Sequence, residues 1–316
     1  MSQPTADHSS SSDAVMDTNR DMISWITLGI LTAILVYAYW NSLVTVSGTW
    51  DSPQYSHGYL VPLFAAVLLW MRRQSFEDVP SWHRWLGLGV VALSILLRIV
   101  ATRNVIFTVD FASFVPALLG VFILVGGLKA LRWAGPPIVF LVFMFPLPRV
   151  LVDNLLRPLQ MIATKCSLFA LQTLGVEVYG EGNVILLESQ AMNVVDQCSG
   201  LRMVTIFLAL AAALAMVATS RPLWERWMIL GSAVPIALAV NVIRITVTGL
   251  LYNMDVNSEI AQKVFHDWAG YIMMPMALGF LFLELQIISR LVVEVPVHET
   301  GRVGFSSKLR TESNPK

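Results

Sequence analysis

Cysteine and charge are both scarce in this chain. Two cysteines occur in 316 residues, Cys166 and Cys198. With no CxxC pair and no Cys/His pair at ligand spacing, they argue against a disulfide scaffold or a zinc site, and nothing else calls for a cofactor. Charged residues make up 13%, and 21 Lys plus Arg balance 21 Asp plus Glu, so the net charge points to no acidic or basic partner. No basic run suggests nucleic acid. The first twenty or so residues, rich in Ser, Asp and Thr, lack the apolar core and cleavage site of a signal peptide, and 1–22 reads as a disordered tail. No internal repeat is visible, which weighs against the repeat-built transporters. What the chain has in quantity is apolar: 56% hydrophobic residues and a mean hydropathy of +0.66. That leaves too little polar surface for a soluble globule, so the sequence reads as a polytopic membrane protein, an all-α helix bundle.

An apolar run long enough to span at 1.5 Å per residue falls at 23–46; 59–71 with its flanks, 85–101, 111–128, 133–147, 201–219, 227–251 and 271–293 read as the further spans, several of them near the lower limit of length. The stretch 154–175 has a helical pattern but carries Arg157, Gln160, Thr164 and Gln172 as a polar stripe. It reads as interfacial or re-entrant, with Cys166 on the opposite, apolar face as a buried and inert thiol. Gly180, Gly182 and the alternation around 184–187 predict a small β-hairpin outside the lipid.

Charge placement decides whether 154–175 crosses. If it does not, eight spans put Arg72, Arg73, Arg84, Lys129, Arg132, Arg221, Arg226 and the basic 294–316 tail on the cytoplasmic side. Asp51, Asp110, Glu177, Glu181, Glu188, Asp196, Asp255, Glu259 and Asp267 then lie outside. That asymmetry favours eight spans with both termini cytoplasmic, and a single domain over 23–293.

The same count brings three reactive groups to one depth at the outer face. Cys198 precedes the apolar run from 201, so it would sit at a helix N-terminus, where unpaired N–H groups and the dipole favour a thiolate. A small apolar filler is the bland alternative. Arg244 lies near the outer end of its span with Asn241 and Thr248 at i−3 and i+4, a polar face inside the bundle, unless the arginine only snorkels to the headgroups. His266 follows in an outer loop, where it is either reactive or one of several polar groups on a solvated helix. Arg202, at i+4 from Cys198, either steadies the thiolate or closes the rim. Arg98 and Glu284 sit in apolar runs with no partner evident in the sequence.

Three blocks carry a family resemblance: Cys-Ser-Gly-Leu-Arg at 198–202, Asn-Val-Ile-Arg-Ile at 241–245 and Phe-His-Asp-Trp-Ala-Gly at 265–270. Together with Tyr-Ser-His-Gly-Tyr-Leu-Val-Pro at 55–62, Phe-Pro-Leu-Pro at 145–148 and Glu-Gly-Asn at 181–183, they resemble the exosortase/archaeosortase family, in order and over most of the chain. The resemblance implies a multi-pass cysteine protease and transpeptidase of the bacterial cytoplasmic membrane, with its active site on the outer, periplasmic face. Its substrates would be exported proteins with a PEP-CTERM type sorting signal: a Pro-containing motif, an apolar helix and a basic tail. The cut end would pass to an acceptor such as a cell-surface polysaccharide or lipid. Carried over residue by residue, Cys198 is the nucleophile, Arg244 the catalytic arginine and His266 the histidine, with Arg202, Asn241 and His57 supporting or binding substrate. Val195, Asp196 and Gln197 depart from the small or Glu-Ala residues that more often precede the cysteine. The other functional classes are a transporter with Arg244 on its solute path and a non-catalytic subunit of an export or polysaccharide assembly.

Overall fold

The computed structural model describes residues 8–52, 55–187, 191–193, 200–219, 221–253 and 269–291. Within these the chain is mostly helical, as a membrane-crossing chain must be when every backbone N–H and C=O needs an internal partner. Helix α1, His8–Ala38, continues into α2, Trp40–Thr49, across a break at Tyr39 (φ −96°, ψ 9°). The hydrogen bonds Tyr39 N–H to Leu35 O and Leu43 N–H to Tyr39 O carry the ladder through it. Residues 8–22 are thus helical where a disordered tail is expected. Once the apolar span has nucleated a helix, each further residue adds a bond for little entropy, and the Asp21 carboxylate accepts the Phe76 N–H at 2.8 Å.

A 3₁₀ turn, Ser56–Tyr59, leads into α3, Leu60–Arg72; then follow α4, Ser81–Arg103, α5, Phe107–Ala112, and α6, Phe114–Phe140, which ends in a 3₁₀ turn, Leu141–Met144. Although α6 reads as one helix, it reverses at Gly127 (φ 66°, ψ −171°), a conformation open essentially to glycine alone. Phe122 and Trp133, on either side of that turn, face each other with ring centroids 5.8 Å apart. The two arms thus correspond to the two runs expected at 111–128 and 133–147. They form the centre of the main core, with Trp25 on Trp133 near the turn and Phe64 on Phe140 at the far end. Against the first arm α4 packs closely, since a Cβ at Gly87 would come within 2.6 Å of the Leu124 nitrogen. The end of the bundle bearing Arg72, Glu77, Lys129 and Arg226 is called here the basic end; Lys129 and Glu77 pair across it.

Arg98 does have a partner. Its Nε meets Asp110 Oδ1 at 3.3 Å, its guanidinium lies 4.1 Å over the Tyr39 ring, and it donates to the Ala38 carbonyl at the α1–α2 break. Asp110 accepts from Ser42 at 2.7 Å as well, and Tyr39 and Ser113 hydroxyls pair at 2.9 Å. Glu284 likewise accepts from Ser232 at 2.6 Å. Groups 12 to 74 residues apart in sequence satisfy one another, which no single-span pattern reveals.

Beyond Pro148 a helical turn, Arg149–Leu151, and a π-helical segment, Val152–Leu156, run into α7, Arg157–Thr173. Strands β1, Val178–Glu181, β2, Val184–Leu187, and β3, Ala191–Asn193, form an antiparallel sheet in the order β1-β2-β3, so the expected hairpin gains a third strand. Then come α8, Gly200–Val217, α9, Leu223–Asn253, and α10, Ala269–Leu291. The sheet, α7 and the C-terminal part of α9 share a core of Ala163, Leu171, Val178, Ile185, Met192, Ile245 and Tyr252. This is the sheet end of the bundle. Among the described residues four helices are long and apolar enough to cross a membrane, 21–38, Ser81–Arg103, Phe107–Met144 and Leu223–Asn253, the third being the one that doubles back at Gly127. Val204–Val217 and Leu278–Ile287 are shorter apolar helices.

The expected faces of α7 need correction. Gln160, Thr164, Ser167 and Leu171, at i, i+4, i+7 and i+11, are its buried face against α9, whereas Met161, Ile162, Phe169 and Cys166 are exposed. Arg157 pairs with Asp153 in the open, and Gln172 donates to the Val178 carbonyl. Cys166 is therefore an exposed thiol, not a buried one. Gln160, Thr164 and Ser167 turn inward against α9, where Thr164 finds the Gln160 carbonyl and Ser167 the Val242 carbonyl, while the exposed side is mixed, with Arg157, Lys165 and Gln172 beside Met161, Ile162 and Phe169.

Candidate active site

Two polar clusters occupy the sheet end. The first is built on α9. Asn241 is buried, and one turn on Arg244 is half-buried with its Nε shielded from solvent. Thr248 donates back to the Arg244 carbonyl at 2.8 Å and Thr246 to the Val242 carbonyl at 2.8 Å, which commits both hydroxyl protons and leaves the two oxygens as acceptors. From α7, Ser167 donates to the Val242 carbonyl at 3.3 Å. Gln160 faces Asn241 across a small cavity of about 10 Å³, closed by Leu156, Leu159, Val204, Ala237 and Leu238. The Asn241 Oδ1 has no hydrogen-bond partner there among the described residues, and the space is close to the smallest that holds one water.

This cavity shows where the helices that follow and carry the signature blocks approach one another. Val204 lies in the first turns of α8, which begins at Gly200, two residues after Cys198. Val204, Phe207 and Val240 pack with Met276, so α10 also starts at this end, three residues after His266. The start of α8, the Asn241–Arg244 turn of α9 and the start of α10 thus share one end of the bundle. Cys198 and His266 themselves, and the side chain of Arg202, lie outside the described residues.

The second cluster joins two blocks that are distant in sequence. Trp50 Nε1–H donates to the Met144 carbonyl at 2.9 Å, the Tyr55 hydroxyl hydrogen-bonds the Leu147 backbone, and the His57 ring bonds the Phe143 backbone. Three side chains therefore satisfy the backbone of 143–147, where Pro146 and Pro148 prevent regular pairing. Tyr59 donates to Asp51 at 2.6 Å, and Trp50 and Tyr59 meet edge to face at 5.2 Å. Gly58 makes the fit possible, because a Cβ there would lie 2.3 Å from the Trp50 ring.

His57 is 8% exposed, and its Nδ1 has no partner among the described residues. Burial pushes its pKa below the ordinary value, partly offset by the Phe143 backbone bond. The neutral ring then donates through Nε2 and presents Nδ1 as an acceptor. Sequence reasoning gave His57 a supporting or substrate-binding role through the resemblance and placed Gln160 only in a polar stripe; Trp50 and Met144 it missed. The available signal was that 55–62 and 145–148 both belong to the resemblance, which made their contact a reasonable expectation.

The clusters are separate. Leu147 belongs to one and Gln160 to the other, and the 13 steps of chain from 147 to 160, largely helical, rise about 20 Å. His57 is thus no member of the Arg244 cluster. Among the described residues no three His, Cys, Asp or Glu side chains gather as metal ligands.

No curated protein and no solved structure matches the chain. A family model does, described as transmembrane exosortase, over residues 49–283, from just before Trp50 into α10. That match takes in both clusters and about three-quarters of the 316 residues. The chain is a multi-pass membrane protein, and it belongs to the transmembrane exosortase family.

Proposed function

We propose that the protein is a cysteine transpeptidase that cuts C-terminal sorting signals from exported proteins at the outer face of the cytoplasmic membrane. Family membership carries the reading, and the convergence of α8, the Asn241–Arg244 turn and α10 at one end of the bundle supports it. In this reading α1, α3, α4, the two arms of α6, α8, α9 and α10 are eight spans, and α7 stays on the outer side. Its contacts with α9 run from Ala237 and Leu238, at the middle of that helix, to Gly249 near its end, which suits a helix that enters from the outer side without crossing.

The chemistry follows from the residue types. The Cys198 thiolate adds to the scissile carbonyl carbon, and the oxyanion that forms faces the Arg244 guanidinium, always charged and able to offer paired donors. The intermediate collapses by breaking the C–N bond, the amine leaves with a proton from His266, and a thioester remains on Cys198. An acceptor nucleophile, losing its proton to His266, then attacks the thioester and releases the thiolate. Arg202 supports the thiolate, and Asn241, buried one turn from Arg244, positions the arginine.

The deciding experiment is processing of an exported reporter that ends in a Pro-containing motif, an apolar helix and a basic tail. Cys198→Ala is expected to remain membrane-inserted and leave the reporter uncut, whereas Cys166→Ala, which changes an exposed residue of α7, processes it nearly normally. Normal processing by Cys198→Ala sinks the proposal.

A further inference from the structure

Arg72 closes α3 at the basic end, half-buried, and among the described residues it has no hydrogen bond and no carboxylate partner. The charge that acts on it is another cation. Arg226, in the first turn of α9 and 154 residues further along the chain (226 − 72), lies close enough for the two guanidiniums to repel one another. The described carboxylates at this end are engaged elsewhere: Glu77 with Lys129, buried Glu225 with Arg221 at 2.8 Å, Asp21 with the Phe76 N–H, and Asp78 likewise in a contact of its own. Arg226 is held in place. Its Nε donates to the Arg221 carbonyl at 3.0 Å and its Nη2 to the Thr219 carbonyl, which leaves the Nη1 donors without a partner among the described residues.

Tryptophans mark the level of this pair in the membrane. Trp70 in the last turn of α3, Trp82 and Trp85 in the first turns of α4, and Trp224 and Trp227 in the first turns of α9 are all exposed. Exposed indoles gathered at one end of three helices are the interfacial belt of a membrane protein, where each ring lies among headgroups. Trp70 stands two residues from Arg72 and Trp227 next to Arg226, so both arginines share that depth. The Arg73 guanidinium lies there too, 3.7 Å over the Trp70 ring. Further into the spans Leu63 and Val67 on α3 and Met228 on α9 are exposed, an apolar surface on the membrane side of the two charges.

We infer that Arg72 and Arg226 bind the phosphate of an anionic phospholipid, a headgroup site that joins α3 to α9 at the basic end. A phosphodiester between the two cations turns their repulsion into attraction, and each guanidinium offers it charge-assisted N–H donors. Because backbone carbonyls already orient Arg226, little freedom is lost when it binds. A zwitterionic headgroup carries the same phosphate with an ammonium group that two arginines repel, so a lipid of net negative charge is preferred. Soluble phosphate lacks the acyl chains that the exposed apolar sides of α3 and α9 would cover. The inference needs only the membrane class of the chain and stands apart from the catalytic reading.

The test uses the full-length chain in nanodiscs of phosphatidylcholine, with and without a fraction of phosphatidylglycerol. Native mass spectrometry reads the lipid kept by the protein, and thermal unfolding reads the stabilisation it brings. The wild-type chain is expected to retain phosphatidylglycerol over phosphatidylcholine and to unfold at a higher temperature when phosphatidylglycerol is present. Arg72→Gln and Arg226→Gln should each weaken that retention about tenfold or more, and Arg84→Gln, an exposed arginine at the same end, less than about twofold. Arg72→Gln breaks no described protein contact, so it separates binding from folding. In phosphatidylcholine alone it should be at least as stable as wild type, because a repulsion is gone, whereas in phosphatidylglycerol it should fall below wild type. Equal destabilisation in both lipids makes Arg72 a structural residue and overturns the inference. A loss as large in Arg84→Gln, or equal retention of the two lipids, reduces the attraction to general surface charge and overturns it as well. Inorganic phosphate that stabilises the detergent-solubilised chain as far as phosphatidylglycerol does overturns the assignment to a lipid.

Discussion

Replacing Gly58 by alanine places a carbon where the Trp50 ring already is, 2.3 Å from its Cδ1 and Nε1. The backbone has little room to yield, since Gly58 N–H is bonded to Tyr55 O at 2.8 Å and His57 and Tyr55 anchor the turn on 143–147. The indole must therefore swing away. Its hydrogen bond to the Met144 carbonyl goes with it, at about 1–2 kcal/mol for a partly buried acceptor left short of a donor. The edge-to-face contact with Tyr59 accounts for about 0.5–1.5 kcal/mol more. Alanine returns roughly 0.4–1 kcal/mol by restricting the unfolded chain, so the net loss is about 0.5–3 kcal/mol, centred near 2. In an opening equilibrium that is roughly 2- to 150-fold, about 30-fold at the centre. A single reporter cysteine, Met144→Cys in a Cys166→Ala/Cys198→Ala chain, reads it, because Met144 is 4% exposed and its reaction with a thiol reagent requires the turn to lift. Trp50→Phe, which keeps a ring and loses the N–H, is expected to raise labelling about fivefold. If Gly58→Ala labels within twofold of its parent, the turn is not clamped as described.

Three further outcomes follow from the same geometry. Arg98→Met alone leaves Asp110 charged and largely buried, and should cost on the order of 3 kcal/mol in stability measured by denaturation in detergent, while Arg98→Met/Asp110→Leu should recover much of it; a double variant worse than the single one contradicts the ion-pair account. Because the folded chain holds the His57 proton less tightly than the unfolded chain does, docking of 55–59 is unaffected above the ordinary histidine pKa of 6.5 and weakens as pH falls below it. Met144→Cys labelling, normalised to free cysteine, should be flat from pH 7 to 8 and rise toward pH 5.5, and a rise in the opposite direction would refute the assignment of a neutral ring. Arg244→Lys keeps the charge but loses the planar fork, so reporter processing should fall about 10²–10³-fold, nearly as far as in Arg244→Ala; near-normal cutting reduces Arg244 to electrostatic support.

The sequence by itself determined the membrane class, the order of the apolar helices and the family, because those are written in local composition, in 3.6-residue periodicity and in short blocks of adjacent residues. It also located the turn between the two arms of α6 to within a few residues, since Lys129 and Arg132 interrupt an otherwise apolar run, although the chain turns at Gly127, just inside the run expected at 111–128. What it could not determine were pairings between groups far apart along the chain. Arg98 finding Asp110, Ser232 finding Glu284, and Trp50, Tyr55 and His57 closing on 143–147 depend on which helices become neighbours. The buried side of α7 was misread because Gln160, Thr164 and Ser167 pack on α9 and the two hydroxyls find backbone carbonyls, which the spacing of one helix does not reveal. Only the tertiary structure decided that Gln160 faces Asn241 and that an apolar groove opens between α1 and α3 on α6. Both are spaces bounded by three helices, and a space has no residue of its own to carry it in the sequence.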